Sequence, residues 1–262
     1  MILSAIDTLN PDQFFRNMTF AYKPESQPLE YDQRKFDWIF RNMDYTQWHT
    51  TDRSGMLWLA GPPECHIHKA SSHIVEESKK KSFVLHFFCS TAAKKKSIEK
   101  VFVHTLLHQI ICNLPPLERK STITLFFRAL VNAIPSAVFS PNYERGVTSW
   151  YNEEDPPDIT VKNALVNLVP EYHWDALKVV LDTGEKQELS IIVDRLDDAE
   201  RQTTGFTKKI SEFIAHLQER FSKVKVLLTS TSYSQADIAE ILGGMSYTYI
   251  EYDKERKVGL HL

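Results

Sequence analysis

The chain contains little cysteine, no long apolar run and almost no net charge. Its three cysteines are odd in number and lack CxxC spacing, which is typical of reduced thiols inside a cell. No apolar run approaches the ~18 residues of a membrane span, and the first residues hold acids and a proline too early for a secretory signal. With a net charge of −3, overall composition indicates no nucleic-acid or membrane partner. We therefore expect a cytoplasmic protein that binds neither membranes nor DNA.

The chain does contain enough apolar residues for a sizeable core. Of its 262 residues, 42% are hydrophobic and 25% are charged, as in ordinary globular domains. This length fits one large domain, which we predict over residues 1–262. Residues 1–35 are predicted to be an N-terminal extension. Residues 135–188 are predicted to be a helical insertion, with short helices near residues 161–169 and 174–181.

Short apolar segments alternate with helical patterns along the chain. The segments are rich in β-branched or aromatic residues and apolar nearly throughout, as are strands covered on both faces. Helices predicted over residues 98–112 and 206–221 repeat apolar residues every three or four positions. The alternation predicts an α/β domain with a mainly parallel five-stranded sheet and helices on both faces. The predicted strands cover residues 56–60, 83–89, 189–193, 224–230 and 247–252.

The segment LWLAGPPECHIHKASS, around the end of the first predicted strand, has the layout of a nucleotide-binding P-loop. Such a loop, GxxxxGK[ST], needs a second glycine to curl around the phosphates, a lysine to reach them and a hydroxyl for magnesium. Counted from Gly61, those three positions hold His66, Ile67 and His68, and Lys69 comes two residues late. We therefore predict that conventional tight ATP binding is lost, and we expect neither a cofactor nor a bound metal.

A second motif, LSIIVDRLDDAE, places three carboxylates at the end of an apolar strand. In an NTPase such carboxylates hold the hydration shell of Mg²⁺ and polarise the attacking water. One interpretation is that they cap the following helix and pair with Arg195 or Arg201. The other is that Asp194 and Asp197, with Asp198, form a negatively charged pocket at the carboxyl ends of the strands, where open α/β sheets bind ligands.

Lysine is concentrated around the second predicted strand. One interpretation is a solvated rim that has no partner. The other is a track for an RNA backbone, because clustered lysines neutralise phosphates and release counterions without reading sequence. Between residues 79 and 100 there are seven lysines and a single acid, Glu99. The lysines are Lys79, Lys80, Lys81, Lys94, Lys95, Lys96 and Lys100.

Together these motifs resemble the NACHT-type P-loop NTPase domain of fungal STAND proteins. The resemblance rests on LWLAG, FVLHFF with HTLLHQIICNLPP, IIVDRLDD and KVLLTSTS, and it spans about residues 30–252. It implies a P-loop NTPase-like fold and the ATP-driven switch of that family. The departures fall on functional positions. The loop is degenerate at His66, Ile67 and His68, and Thr231 occupies the position of the sensor arginine.

The combination of a degenerate P-loop, a DRLDD motif and lysine runs also resembles the fungal arginine-containing cyclodipeptide synthases. That family uses arginyl-tRNA and a second aminoacyl-tRNA to make cyclic dipeptides in secondary metabolism. The resemblance implies that Asp194, Asp197 and Asp198 bind the arginyl guanidinium and that the lysines bind tRNA. It implies a catalytic role for His66, His68 and Asp194, with a histidine as the general base. The ester is already activated, so ATP would not be required.

Three functions remain open from the sequence. The first is tRNA-dependent synthesis of an arginine-containing cyclic dipeptide, for which Cys65, Ser90, Thr229 and Ser230 are further candidates to carry an acyl group. The second is a catalytically dead, NACHT-like pseudo-NTPase that acts as an interaction or regulatory module. The third is a weak nucleotide hydrolase, which requires Lys69 to reach a phosphate.

Overall fold

A computed structural model of the chain describes residues 37–89, 97–133, 170–183, 188–231, 233 and 235–252. No helix in these ranges is long and apolar enough to cross a membrane. The strands are β1 (Gly55–Ala60), β2 (Phe83–Phe88), β3 (Leu189–Asp194), β4 (Val224–Ser230) and β5 (Thr248–Glu251). The helices are α1 (Asp37–Phe40), α2 (Met43–Thr50), α3 (Ile67–Ser78), α4 (Ile98–Asn113), α5 (Pro116–Ala133), α6 (Pro170–Thr183), α7 (Leu196–Gln202), α8 (Phe206–Arg220) and α9 (Gln235–Leu242).

The chain divides into two compact units. The first comprises Met1–Glu25 and Glu99–Gly184, and the second comprises Ser26–Ile98 and Glu185–Leu262. In the described part of the first unit, α5 packs against α6. The Phe102 ring of α4 stacks on the Trp174 ring of α6, with 4.9 Å between their centroids. The assignment of residues 1–262 to a single domain, with an extension over residues 1–35, stays a prediction.

The second unit is built on a five-stranded sheet in the order β2-β3-β4-β1-β5. Every neighbouring pair is parallel; Leu57 of β1, for example, lies opposite Leu227 of β4 and Thr248 of β5. The predicted P-loop NTPase-like α/β class, with a parallel five-stranded sheet flanked by helices, is confirmed. The predicted strands were all found, and their ends differ from the observed ones by one residue or none.

Both faces of this sheet are buried, which explains why its strands are apolar nearly throughout. Leu57 and Leu59 of β1 belong to one apolar cluster, together with residues of α2 and α3. Their neighbours Met56 and Trp58 point to the opposite face, because side chains alternate along a strand, and they are also buried. A parallel sheet of this kind keeps its polar groups for the strand ends, where loops meet solvent.

Helix α4 is more buried than its predicted pattern implied. The sequence pattern places Ile98, Phe102, Thr105, Leu106 and Ile110 on one face, and all of these are buried. The intervening residues Val101, Val103, Leu107 and Ile111 are buried as well. A helix that is apolar nearly all round is an interior helix, so the single-face interpretation was too narrow. In the predicted insertion, the helix near residues 174–181 extends over Pro170–Thr183. The helix predicted near residues 161–169 lies outside the described residues.

Candidate functional site

A small cleft opens in the second unit at the carboxyl ends of β1 and β4. These strands are neighbours in the sheet, but their connections run in opposite directions. The chain passes from β1 to β2 at one edge of the sheet, and from β4 to β5 at the other edge. Such a switch point is where open α/β sheets bind ligands. The cleft has a volume of about 90 Å³, well below the ~300–1,000 Å³ of typical small-molecule pockets. Its lining includes Gly61, Ile67, His68, Arg195, Thr229 and Thr231.

The loop that follows β1 is closed by its own hydrogen bonds. The Gly61 N–H donates to the Ser230 carbonyl at 3.3 Å, and the Cys65 and His66 N–H groups donate to the carbonyls of Pro62 at 3.0 Å and Pro63 at 3.2 Å. The two prolines have no N–H at all. A phosphate-binding loop works by presenting free backbone N–H groups to the anion. Five of the six residues 61–66 therefore have no free backbone N–H that could bind a phosphate.

The one glycine kept in this loop serves packing. A Cβ at Gly61 would lie 2.7 Å from the Tyr252 Cβ and 2.9 Å from the Cys65 Sγ, closer than real atoms approach. Cys65 is held in the same crowded loop, and its thiol donates to the Pro62 carbonyl at 2.8 Å. Gly61 is therefore explained by the crowded chain around it, without any ligand.

His66 occupies the second-glycine position and keeps the backbone shape that glycine would supply there. Its φ of 55° and ψ of 32° are left-handed, a conformation that is unfavourable for residues with a side chain. It ends a short 3-10 turn, Pro63–Cys65, and precedes the first residue of α3. The strain at His66 belongs to a loop geometry in which a glycine would be relaxed.

His68 lies in the first turn of α3 and lines the cleft. Burial lowers the pKa of His68 below its usual range, and the positive charges of Lys69, His66 and Arg195 lower it further. Its imidazole is therefore neutral at pH 7 and able to accept a proton. The His66 ring lies 6.1 Å from the His68 ring, so the two predicted bases are neighbours.

Asp194, the last residue of β3, is buried beneath the cleft at 2% exposure. The hydroxyls of Ser71 and Thr229 both donate to its Oδ1 at 2.8 Å. Burial raises the pKa of Asp194 to about 6, although these two hydrogen bonds act in the opposite direction. In a working NTPase a loop hydroxyl and this aspartate are linked through Mg²⁺. Here Ser71, one helical turn beyond His68, links to Asp194 directly.

Asp197 and Asp198, in the first turn of α7, are buried and paired with arginines. The Asp197 Oδ2 accepts from Arg201 at 2.7 Å. The Asp198 carboxylate lies 2.6 Å from Arg195 and 3.1 Å from Arg201. The ion pairs of the first interpretation are therefore present. The cap is not, since Arg195 is the N-cap residue of α7 and has no side-chain cap bond.

Thr231, at the sensor arginine position, also binds the acidic motif. Its N–H donates to the Asp197 Oδ1 at 3.2 Å and its hydroxyl to the Asp197 Oδ2 at 2.6 Å. Asp197 thus has three donors around it before any ligand arrives. The guanidinium-binding role of Asp194, Asp197 and Asp198 stays a prediction, and a substrate arginine would have to compete with these donors.

Arg195 is the charged residue that reaches the cleft from the acidic motif. Its backbone is left-handed, with a φ of 58°, and its N–H donates to the Thr229 hydroxyl at 2.9 Å. Arg195 and His66 are the non-glycine residues of positive φ in the described chain; Arg195 lines the cleft, and His66 directly precedes the lining residues Ile67 and His68. Strained residues of this kind collect at functional sites, which supports a candidate site at this cleft.

The remaining candidate nucleophiles are buried and already hydrogen-bonded. Thr229 is 1% exposed, and its hydroxyl donates to Asp194 and accepts from the Arg195 N–H. The Ser230 hydroxyl accepts from the Trp58 indole at 2.9 Å. Cys65 is buried as well. Ser90 lies outside the described residues. In the described ranges, no group of three or more His, Cys, Asp or Glu side chains could hold a metal ion.

The described lysines of the predicted RNA track do not line the cleft. Lys79 and Lys80 pair with Glu76 and Glu77, each at 2.7 Å, on the exposed end of α3. With Lys81 they precede β2, so they lie at the amino edge of the sheet, about 20 Å from the carboxyl edge for a strand of this length. Lys100, in the first turn of α4, is half-buried, and burial lowers its pKa. Lys94, Lys95 and Lys96 lie outside the described residues.

Comparison with known proteins matches part of the chain to a family. Residues 34–135 match the family described as Nephrocystin 3, N-terminal. This match is consistent with a NACHT-like protein. It covers about two fifths of the chain, including β1, the closed loop, α3 and β2, and it ends before the acidic motif. No curated protein matches the chain.

Proposed function

We propose that the chain is a NACHT-like NTPase domain that no longer binds nucleotide and acts as a non-catalytic interaction module. The observation that supports this most directly is the closed loop after β1, where backbone N–H groups bind carbonyls of the loop and of β4. A nucleotide would have to break those bonds to gain the same donors. The residues at the lysine and hydroxyl positions, Ile67 and His68, offer neither the charge nor the magnesium ligand.

The acidic motif supports the same proposal. In an active site its carboxylates would be held ready for a metal and water. Here Asp194 is fixed by Ser71 and Thr229, and Asp197 by Thr231 and Arg201. These contacts join α3, β3, β4 and α7 within the second unit. The residues of the former active site now act as a structural network.

The first prediction is that Mg²⁺-ATP and Mg²⁺-ADP do not bind with a dissociation constant below about 1 mM. The reason is the lack of free loop donors and of a phosphate lysine. Isothermal titration calorimetry of the folded chain measures this directly. A micromolar dissociation constant would contradict the proposal, and Lys69→Ala would then identify the cause. Loss of binding in that variant would assign the phosphate contact to Lys69 in a shifted register.

The second candidate is tRNA-dependent synthesis of an arginine-containing cyclic dipeptide. The observation that favours it is His68, whose imidazole lines the cleft and is neutral at pH 7, as a general base must be. The test is expression in a microbial host and mass spectrometry of the medium for cyclic dipeptides that contain arginine. His68→Gln, which keeps a polar side chain but cannot act as a base, should abolish any such product.

The lysines give a separate prediction for this candidate. Replacing Lys79, Lys80 and Lys81 with alanine should weaken tRNA binding and flatten its salt dependence, by roughly 0.7–0.9 log units for each phosphate that the variant no longer neutralises. Filter binding at several salt concentrations measures the slope. Lys208→Ala, an exposed lysine on α8, is the control for a general decrease in charge. An unchanged affinity and slope in the triple variant would remove the RNA track.

A further inference from the structure

Three basic side chains converge at the amino edge of the sheet, in the second unit. His49 lies near the end of α2, Lys81 lies between α3 and β2, and Lys225 lies near the start of β4. The Lys81 Nζ is 3.3 Å from the His49 Nε2. The Lys225 Nζ donates to the backbone carbonyls of Trp48 and His49, each at 2.7 Å. Lys225 therefore also satisfies the carbonyl end of α2, where a positive charge is stabilising.

The carboxylates near this cluster are bonded to other lysines. Glu77 pairs with Lys80 at 2.7 Å. Asp52 and Glu188 pair with Lys223 at 2.5 Å and 2.9 Å. Among the described residues, neither Lys81 nor Lys225 has a carboxylate within ion-pair distance. The cluster thus holds positive charge that no anion of the described chain neutralises.

This imbalance acts on the protonation of His49. Burial lowers the pKa of His49, and the charges of Lys81 and Lys225 lower it further, while Glu77 acts in the opposite direction. The pKa of Lys225 is also lowered, by burial and then by Lys223 and Lys81, with Glu188 and Asp52 opposing. The lowered pKa favours the uncharged imidazole of His49, whose Nε2 then accepts from the Lys81 ammonium. An anion placed between them would reverse this preference.

We propose that His49, Lys81 and Lys225 form a binding site for a phosphate group. The Lys81 ammonium is exposed and turns from His49 to a phosphate oxygen. His49 then takes up a proton, so that its Nε2–H donates to a second oxygen. Lys225 contributes charge from the end of α2, where its Nζ donates to the Trp48 and His49 carbonyls. Lys79 and Lys80 stand outside this site, because Glu76 and Glu77 already neutralise them. The site is separate from the cleft and does not depend on nucleotide binding being absent there.

Proton uptake is the signature of this arrangement. A phosphate that binds next to His49 raises the pKa of His49. A phosphate-like anion that does not itself titrate therefore takes up protons when it binds near neutral pH, and its binding weakens as the pH rises from about 6 to about 8. A merely attractive surface of lysines would show a salt dependence without this proton uptake. The distinction can be measured.

The experiment is calorimetric titration of the chain with sulfate at fixed ionic strength, in buffers of different ionisation enthalpy. Sulfate has the shape and charge of a phosphate dianion and exchanges no proton near neutral pH. The dependence of the heat on the buffer gives the number of protons taken up. Lys81→Ala should weaken binding at least tenfold, and His49→Gln should remove proton uptake and the pH dependence. Lys79→Ala, an equally exposed lysine that pairs with Glu76, is the matched control and should change the affinity less than twofold. Lys225 is left intact because it supports α2.

Two sources of the phosphate are separated by competition with a short RNA. If RNA displaces sulfate, the site takes a nucleic-acid backbone, and if it does not, the site takes a small phosphorylated molecule; either result supports a phosphate site. The proposal is overturned if neither ligand binds below about 10 mM, if binding takes up no proton, or if Lys79→Ala weakens it as much as Lys81→Ala. Circular dichroism of each variant checks that the fold is intact.

Discussion

Replacing Asp197 with alanine should lower the free energy of unfolding by about 2–4 kcal/mol, because two Thr231 donors lose their acceptor and Arg201 loses a partner. Hydrogen bonds to a buried carboxylate are among the stronger ones, and Asp197 is only 2% exposed. The contribution from Arg201 itself is small, since its side chain is 62% exposed and water screens it. Urea unfolding measures the change.

The matched control is Glu76→Ala, which removes an exposed carboxylate from its pair with Lys79 and should leave the unfolding midpoint unchanged. Asp197→Asn then separates the two candidate functions. In the interaction module this variant is destabilised and there is no catalytic effect to observe. In the synthase the variant would be destabilised by the same lost contacts, and its folded fraction would in addition lose product formation by two orders of magnitude or more, as about 3 kcal/mol at the transition state implies. A destabilised Asp197→Asn that still makes product at the wild-type rate would exclude the guanidinium pocket.

Asp194→Asn should increase stability at pH 7 by about 1–3 kcal/mol. Burial raises the pKa of Asp194 from 3.8 to about 6 in the folded chain, so the folded state holds a proton that the unfolded state has released between those values. The contribution of Asp194 is therefore fully present below about pH 4, is lost as the pH rises to about 6, and stays lost above it. Asparagine keeps the oxygen that accepts from Ser71 and Thr229 without the buried charge.

The measurement is the difference in unfolding free energy between the variant and the wild type at pH 4 and at pH 7. Taking the difference between variant and wild type at each pH cancels the contributions of carboxylates whose pKa is lowered, such as Asp52 and Glu77. Those groups stabilise the fold more as the pH rises, which is opposite to Asp194. The gain should be larger at pH 7 than at pH 4. A variant that is less stable at pH 7 and equal at pH 4 would show that the fold favours the Asp194 anion, which would restore the case for a cation beside it.

The strands of the sheet were predictable because burial on both faces leaves an unbroken apolar run, as in LSIIV and VKVLLTS. Helix α5 was missed, although Ile123, Phe126, Phe127 and Leu130 repeat every three or four residues. The charged residues Glu118, Arg119 and Lys120 near its start interrupt the apolar repeat, so the pattern is weak over the whole helix. Helix α7 has only seven residues, too few for a periodicity to be visible.

The candidate site was only partly predictable. The loop substitutions and the three carboxylates were visible in the sequence, but the spacing of the carboxylates permitted both a ligand pocket and pairs with Arg195 or Arg201. That choice depends on Thr231, which follows a strand distant in sequence. Ser71 could have been found, since it is a polar residue in the apolar stripe Ile67, Ala70, Ile74 and Val75 of α3 and so needs a buried partner.

The left-handed backbone of Arg195 could not have been predicted from local sequence, whereas that of His66 falls on the second-glycine position of the P-loop pattern. Arginine disfavours positive φ, and nothing beside Arg195 in the chain indicates a turn that requires it. At Arg195 the conformation is held by the Thr229 hydroxyl, which accepts from the Arg195 N–H. A contact between separate strands therefore decides the backbone shape, and sequence reasoning has no access to it before the sheet is known.

The prolines of the closed loop also set the direction in which this domain is able to evolve. Regaining a phosphate cradle requires free backbone N–H groups in residues 61–66, a glycine at His66 and a lysine at Ile67, and no one of these changes is useful alone. Each proline also restricts the unfolded chain, so replacing it lowers the stability of the fold by about 0.4–1 kcal/mol before any ligand binding can compensate. The first steps of reversion would be neutral for binding and unfavourable for folding. The loop therefore preserves an NTPase-like fold, but it makes a stepwise recovery of phosphate binding unfavourable.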